Sequence, residues 1–293
     1  MSTTPLSVDF FSRHGKKTSL LRLLRNQLLT ALCILLSFVT LIPLFSLLYL
    51  LLEKGLPLLS LSVFTKLPPA PGLEGGGFGN AILGTLTMVG IATLLSTPIG
   101  ILGAIFINEY APASALAGTV RFVAKLLAGI PSIICGAFAF ALVVLNTGQF
   151  SALAGGVALS ILMLPTILIT SEQALLDVSS SYRDASYGLG ATPFQTIWRV
   201  VLPEALPSMM MGIMLAVARA AGETAPILFT ALFSQYWMRS IMEPTASLSV
   251  LIYNFSALPY HYQVQMAWTA SLVLVAMVTG TNIVAQFLLR RKF

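Results

Sequence analysis

The feature that most limits what this chain can become is a set of six apolar runs, at 28–52, 81–107, 126–145, 152–171, 206–233 and 267–289. A helix rising about 1.5 Å per residue needs about 20 apolar residues to cross a hydrocarbon core of about 30 Å. Inside lipid every backbone N–H and C=O must be paired by protein, which leaves helices or closed barrels. Barrel strands would read as shorter segments of alternating polarity, whereas these runs are long and continuous. The fold class predicted is all-α: a polytopic membrane protein with six transmembrane helices. Composition agrees, with 57% hydrophobic and only 9% charged residues, far below the share of charge in a soluble domain.

Basic residues precede the first run, as in a secretory signal. The run itself is about 25 residues long and no A-x-A-like site follows it, so it reads as a retained first span. The net charge of +6 is distributed unevenly. Arg13, Lys16, Lys17, Arg22 and Arg25 precede the first span, and Arg290, Arg291 and Lys292 follow the last. Arg121 and Lys125 lie between the second and third, Arg183 and Arg199 between the fourth and fifth. The opposite side holds only Lys54, Lys66 and Arg239. Lysine and arginine accumulate in cytoplasmic loops, which places both termini and the loop between spans four and five in the cytoplasm. The basic charge reports topology, and nucleic acid is not a predicted partner; membrane lipids are. The domain reading is a basic cytoplasmic tail over 1–27, a six-helix transmembrane domain over 28–289 that includes a cytoplasmic loop at 177–203, and a basic cytoplasmic C-terminus at 290–293.

Several chemistries have nothing to build on. Cys33 and Cys135 lie in apolar segments and read as reduced packing thiols, and no metal-ligand spacing occurs. His14 and His261 fall on opposite predicted sides, so neither a histidine metal site nor a catalytic triad is predicted. Gly15-Lys16-Lys17 lacks the glycine five residues upstream and the Ser or Thr after the lysine that a phosphate-binding loop requires. No catalytic residue is assigned. Met209, Met210, Met211 and Met214 read as adaptable packing in the fifth span. Between the first two spans, Leu67-Pro68-Pro69-Ala70-Pro71-Gly72 and Glu74-Gly75-Gly76-Gly77 predict an irregular outer loop.

The inner loop before the fifth span carries more detail. Ser181 with Asp184 three residues on predicts a capped helix start, and Gly190 its end. Thr192, Pro193 and Gln195 predict a second start: cap, first-turn proline and return cap. Phe194, Ile197, Trp198 and Val201 then fall on one helical face, and Leu202-Pro203 is expected to end that helix. The loop reads as a helix-turn-helix with an apolar stripe open to a partner.

Arg219 and Glu223 are the strongly charged residues inside the fifth predicted span. Arg219 lies about 20 Å along a helix begun at residue 206, past the middle of the core. A charge there costs about 2.5–3.5 kcal/mol on insertion scales. Two readings remain open: a self-neutralising i,i+4 pair that holds neighbouring helices, or an arginine fork offered to an oxyanion in transit, with Glu223 as a latch.

Asp184-Ala185-Ser186, three residues, Gly190, nine residues, Val200, one residue and Leu202-Pro203 resemble the EAA loop of ABC importer permeases. The family pattern is Glu-Ala-Ala-x3-Gly-x9-Ile-x-Leu-Pro, and the chain departs from it at Asp184, Ser186 and Val200. The stretch from Ala218 through Arg219, Gly222, Glu223, Thr224, Ala225 and Pro226 to Leu232 is similar to the A-type permeases of Pst phosphate transporters, as are Glu74-Gly75-Gly76-Gly77 before Asn80-Ala81, and Pro131-Ser132-Ile133. The likeness covers most of the chain from about residue 20. It implies a type I ABC importer permease fold in a bacterial inner membrane, carrying inorganic phosphate. It also implies a second, C-type permease subunit, a homodimeric ABC ATPase that binds the ATP and Mg, and a periplasmic phosphate-binding protein, with no cofactor in this chain. By the same resemblance Asp184, Ala185, Ser186, Gly190, Leu202 and Pro203 are the ATPase-coupling residues, and Arg219, Glu223 and Thr224 line the substrate pathway.

Other readings compete. A permease for sulfate, phosphonate or another oxyanion would look much the same. A proton-coupled secondary transporter would rely on Glu223, yet no internal repeat or intramembrane histidine supports it. A membrane enzyme would need a clustered acid/base or metal set, which the sequence does not offer.

Overall fold

The structure, a computed structural model, describes residues 20–290. Arg13, His14, Gly15, Lys16, Lys17, Arg291 and Lys292 lie outside the described residues. The chain divides into two units after Leu50. The first is the body of α1 (Leu20–Gly55), whose side chains are exposed over residues 22–50 apart from half-buried Leu48. A helix apolar on every side belongs in lipid or against another protein. Cys33, expected above to be a packing thiol, is exposed on it, while Cys135 is buried.

The second unit is the bundle. After α2 (Leu61–Thr65) come α3 (Gly79–Ile105), extended by a π turn Phe106–Tyr110, then α4 (Ala115–Ala128) and α5 (Ser132–Ala139). A π turn Phe140–Val144 leads to α6 (Leu145–Thr147), followed by α7 (Ala152–Leu176) and α8 (Ser180–Gly188). Next, α9 (Pro193–Thr196), a π turn Ile197–Val201 and α10 (Leu202–Gly222) form one continuous rod. α11 (Ala225–Thr230), α12 (Leu248–Ser256) and α13 (His261–Arg290) complete the chain, with no strand among the described residues.

Five of these helices are long and apolar enough to cross a membrane, six if the bent pair 115–128 and 132–147 counts as one span. Here the sequence expectation is corrected. The run at 126–145 is not one straight helix: the chain turns through 107° between α4 and the rod that starts at Ser132. Ile130 precedes Pro131, which disfavours helical geometry at the residue before it, and Gly129 closes α4. The run at 206–233 is likewise two helices. It belongs to a rod that begins at Pro193 and stops at Gly222, because Glu223 is extended (φ −71°, ψ 133°) and α11 starts afresh.

α7 is the central helix, packed most extensively on α3 and α10 and also touching α4, α5 and α11. A Cβ on Gly156 would lie 2.5 Å from Ile91 Cγ2, and one on Gly100 2.7 Å from Ile167 Cγ2. Those glycines let two spans approach more closely than any side chain would allow. The pairings 88 with 155, 91 with 156, 100 with 167 and 103 with 168 show that α3 and α7 run in the same direction. Their far ends meet Ile197, Val201, Ala205 and Met209 in a buried cluster that also holds Ala104, Ile105, Ala174, Leu175 and Val178. Met209 is fully buried and Met210 and Met214 pack on the core, as adaptable fillers do, whereas Met211, expected to pack with them, is exposed. The outer loop is irregular as expected, with Gly72, Gly75 and Gly76 all at positive φ.

Candidate functional site

The structure brings together one group of the sequence-derived residues around the break after α10. Arg219 sits in the last turn of α10 and Glu223 is its C-cap. Arg219 Nε donates to Glu223 Oε1 at 3.4 Å, with the arginine side chain 50% exposed and the glutamate 16% exposed. The pair is formed, yet loosely: an Arg–carboxylate contact at full strength is nearer 2.7–2.9 Å. Half of the arginine side chain stays exposed beside that contact. The break itself is held from α12, where Ser249 Oγ donates to the Glu223 carbonyl at 2.8 Å. Half-buried Thr224 starts α11, its carbonyl accepting from Leu228 N–H, and its hydroxyl caps nothing there. Gly136 of α5 lies against Pro226, where an added Cβ would stand 2.6 Å from Pro226 Cα. α5 is therefore in close backbone contact with the restarted chain, and α12 is hydrogen-bonded to the break. Arg219 is at a helix terminus beside a re-started chain, not midway along a continuous span.

The loop at the other end forms the second group. α8 begins one residue after Ser179, whose Oγ accepts from Ser181 N–H; Ser181 Oγ bonds Ser179 Oγ at 2.7 Å. This replaces the expected box of Ser181 with Asp184. Gly190 is left-handed at φ +82° and closes the helix, as expected. The Thr192–Gln195 box forms in both directions, with Pro193 in the first turn. The helix expected to end at Leu202-Pro203 instead continues through both residues. Pro203 supplies no N–H and would clash with the carbonyl four residues back. The π turn Ile197–Val201 just before it widens the backbone, with Leu202 N–H bonded five residues back to Ile197 O.

The predicted apolar stripe divides. Ile197 and Val201 are buried in the bundle, whereas Phe194 and Trp198 are exposed and in ring contact at 5.8 Å. Tyr182, Tyr187 and Leu189 of the same loop are exposed as well. The coupling residues divide too. Asp184, Ala185 and Gly190 are exposed, and an added Cβ at Gly190 would meet nothing within 4 Å. Ser186 is buried, with its hydroxyl 2.9 Å from Thr196 Oγ1, and Leu202 and Pro203 are half-buried at the start of α10.

Sequence reasoning missed the ion pairs at this end. Arg183 reaches Glu109 at 2.6 Å and Arg121 reaches Glu172 at 2.5 Å. Both arginines were read only as topology markers, and nothing in the spacing links residues 74 or 51 positions apart. No group of His, Cys, Asp or Glu suited to a metal occurs among the described residues.

Parallel spans, a charged break and an exposed small-residue loop between spanning helices define a membrane transport subunit. Residues 96–293 match the family model of the binding-protein-dependent transport system inner membrane component. The chain is 38% identical over 82% of its length to the phosphate transport system permease protein PstA of Yersinia pestis, covering 81% of that protein. It is 35% identical to PstA of Pasteurella multocida over 92% of this chain and 96% of that one. Among solved structures it is similar to a bacterial ABC transporter for alginate, seen in complex with a periplasmic protein, at a TM-score of 0.66 and 18% identity over 94% of this chain and 98% of that chain. A MetNI methionine ABC transporter chain matches at a TM-score of 0.58 and 21% identity, over 72% and 94%. The chain belongs to the binding-protein-dependent transport inner membrane components, in the branch of the PstA permeases.

Proposed function

We propose that the chain is the permease subunit of an ATP-driven inorganic phosphate importer, forming half of the translocation path and taking its energy from a separate ATPase. The observation that carries this reading is the half-exposed Arg219 fork at the broken span, loosely held by Glu223, in a chain whose relatives are named phosphate transport permeases. A guanidinium fork matches two oxygens of a tetrahedral oxyanion. Phosphate carries about −1.5 to −2 charges near neutral pH, more than one arginine cancels, so a second cation from a partner subunit completes the site. Thr224 lies one residue past the break, where its hydroxyl adds a neutral donor. Glu223 keeps Arg219 from standing as a bare charge until the anion displaces it.

The organisation that goes with this reading has 1–27 and 290–293 as cytoplasmic termini of a multi-pass inner-membrane protein. The domain over 28–289 pairs with a C-type permease, and the loop at 177–203 seats on a homodimeric ABC ATPase that binds ATP and Mg. A periplasmic phosphate-binding protein delivers the substrate. Exposed Asp184, Ala185 and Gly190, with exposed Phe194, Trp198 and Leu189 on the same loop, are the surface offered to the ATPase, while buried Ser186 and half-buried Leu202 and Pro203 tie the loop to the rod.

The test is reconstitution in vesicles with the partner permease, ATPase and binding protein, with uptake of labelled phosphate measured against sulfate. Phosphate uptake that needs both ATP and this chain supports the reading. Uptake of sulfate in preference, or phosphate uptake driven by a proton gradient without the ATPase, would overturn it.

A further inference from the structure

α8 is a short helix with little hold on the bundle. Among its described residues Ser186 alone is buried, and its hydrogen bond runs to Thr196 at the start of the rod that continues into α10, not to α3 or α7. Tyr182, Tyr187 and Leu189 at its sides are exposed. Arg183 supplies the missing attachment. Its Nη2 donates to Glu109 Oε1 at 2.6 Å and its Nε to Glu109 Oε2 at 3.3 Å, a two-pronged contact with the π turn that ends α3. The same guanidinium donates to Val178 O at 2.8 Å and Leu175 O at 3.0 Å, the last carbonyls around the end of α7. Asn108 Nδ2 also donates to Glu109 Oε1 at 2.8 Å, fixing the carboxylate. Arg183 is 19% exposed and Glu109 only 8%. One side chain thus fastens the loop helix to two spans that are themselves in close glycine-mediated contact.

We propose that Arg183 and Glu109 are positioning residues for energy coupling: their clasp carries displacement of α8 to α3 and α7, and so sets how much substrate moves per ATP hydrolysed. This rests on the reading under Proposed function. Geometry favours transmission over simple bracing. A brace joins elements already packed together, as Arg121 does in joining α4 to α7 through Glu172. Arg183 instead joins α3 and α7 to a helix that packs mainly on the start of a different rod, at α9 and the π turn 197–201. A planar five-donor fork meets both carboxylate oxygens and both carbonyls at once; a lysine ammonium has three donors at one point.

The experiment compares phosphate transported per ATP hydrolysed by the complete complex in sealed vesicles, for wild type, Arg183→Lys, Glu109→Gln, Glu109→Asp and Arg121→Lys. Arg183→Lys and Glu109→Gln are expected to lower that ratio about tenfold, within the usual range of coupling between sites, while ATP turnover persists. Glu109→Asp, which keeps the charge on a shorter stem, is expected to fall between and serves if Glu109→Gln does not assemble. Arg121→Lys is expected to lower the thermal stability of the complex and leave the ratio alone. A wild-type ratio in Arg183→Lys, or an equal loss of ratio in Arg121→Lys, would overturn the clasp while the transport reading stands. A wild-type complex that moved no phosphate would overturn both.

Discussion

Ser186 Oγ and Thr196 Oγ1 lie 2.9 Å apart with both residues buried, so one hydroxyl pair joins the two helices of the loop across a left-handed turn. Thr196→Val keeps the shape and leaves the Ser186 hydroxyl unsatisfied, which costs about 1–3 kcal/mol. The double change Ser186→Ala with Thr196→Val removes both polar groups and is expected to recover most of that loss. Thermal unfolding of the purified complex checks the order; a double variant less stable than either single one would refute it.

Gly190 needs its positive φ more than it needs space, since nothing lies within 4 Å of an added Cβ. Gly190→Asn is therefore expected to behave nearly as wild type, because asparagine enters the left-handed region readily. Gly190→Val is expected to distort the turn and uncouple ATP hydrolysis from transport while insertion continues. Immunoblots of the membrane fraction and the uptake-to-ATPase ratio separate these effects. Normal coupling in Gly190→Val would mean that the loop is not the ATPase seat.

Arg219→Gln removes an intramembrane charge, so insertion and assembly are expected to persist, with phosphate uptake reduced at least about tenfold for loss of a charged fork. Arg219→Lys is expected to be intermediate. Adding Glu223→Gln to Arg219→Gln decides between a structural pair and a substrate contact. If the pair is structural, neutralising both restores uptake; if Arg219 meets the anion, the double variant assembles and stays inactive. Radiolabelled phosphate uptake in cells is the readout.

Topology is open to a direct check. Thr192 is exposed at the turn between α8 and α9. Thr192→Cys is expected to react with an impermeant thiol reagent only after the membrane is opened. Labelling in intact spheroplasts would invert the topology and remove the coupling role of the loop.

Long uninterrupted spans were legible in the sequence because an apolar run of that length has few other fates. Residues 152–176 and the outer loop of prolines and glycines follow that logic. The two broken spans were not legible as breaks, although their letters were present. Gly129 and Pro131, and Gly222 with Pro226, punctuate apolar stretches whose mean hydropathy hides a bend. The π turn at 197–201 has no letter of its own: it answers Pro203 with a wider ring of backbone. Substrate-path candidates were found because a charge in an apolar run stands out, whereas Arg183 and Glu109 meet only through the relative register of distant helices, which no local pattern encodes.

Because α3 and α7 point the same way, their macrodipoles add instead of cancelling, and each places about half a negative charge at the loop end. Arg121 and Arg183 donate to carbonyls at those ends, Ile107 O and Leu175 O, each while paired with a glutamate. At the opposite end the corresponding positive poles are already occupied: Ser151, Ala152 and Leu153 N–H donate to the carbonyls of Thr230, Glu243 and Ile241, and Gly79 N–H to that of Lys66. Those helix starts are therefore closed by neutral backbone, and on the reading proposed above an arriving anion is drawn by side chains such as Arg219 instead.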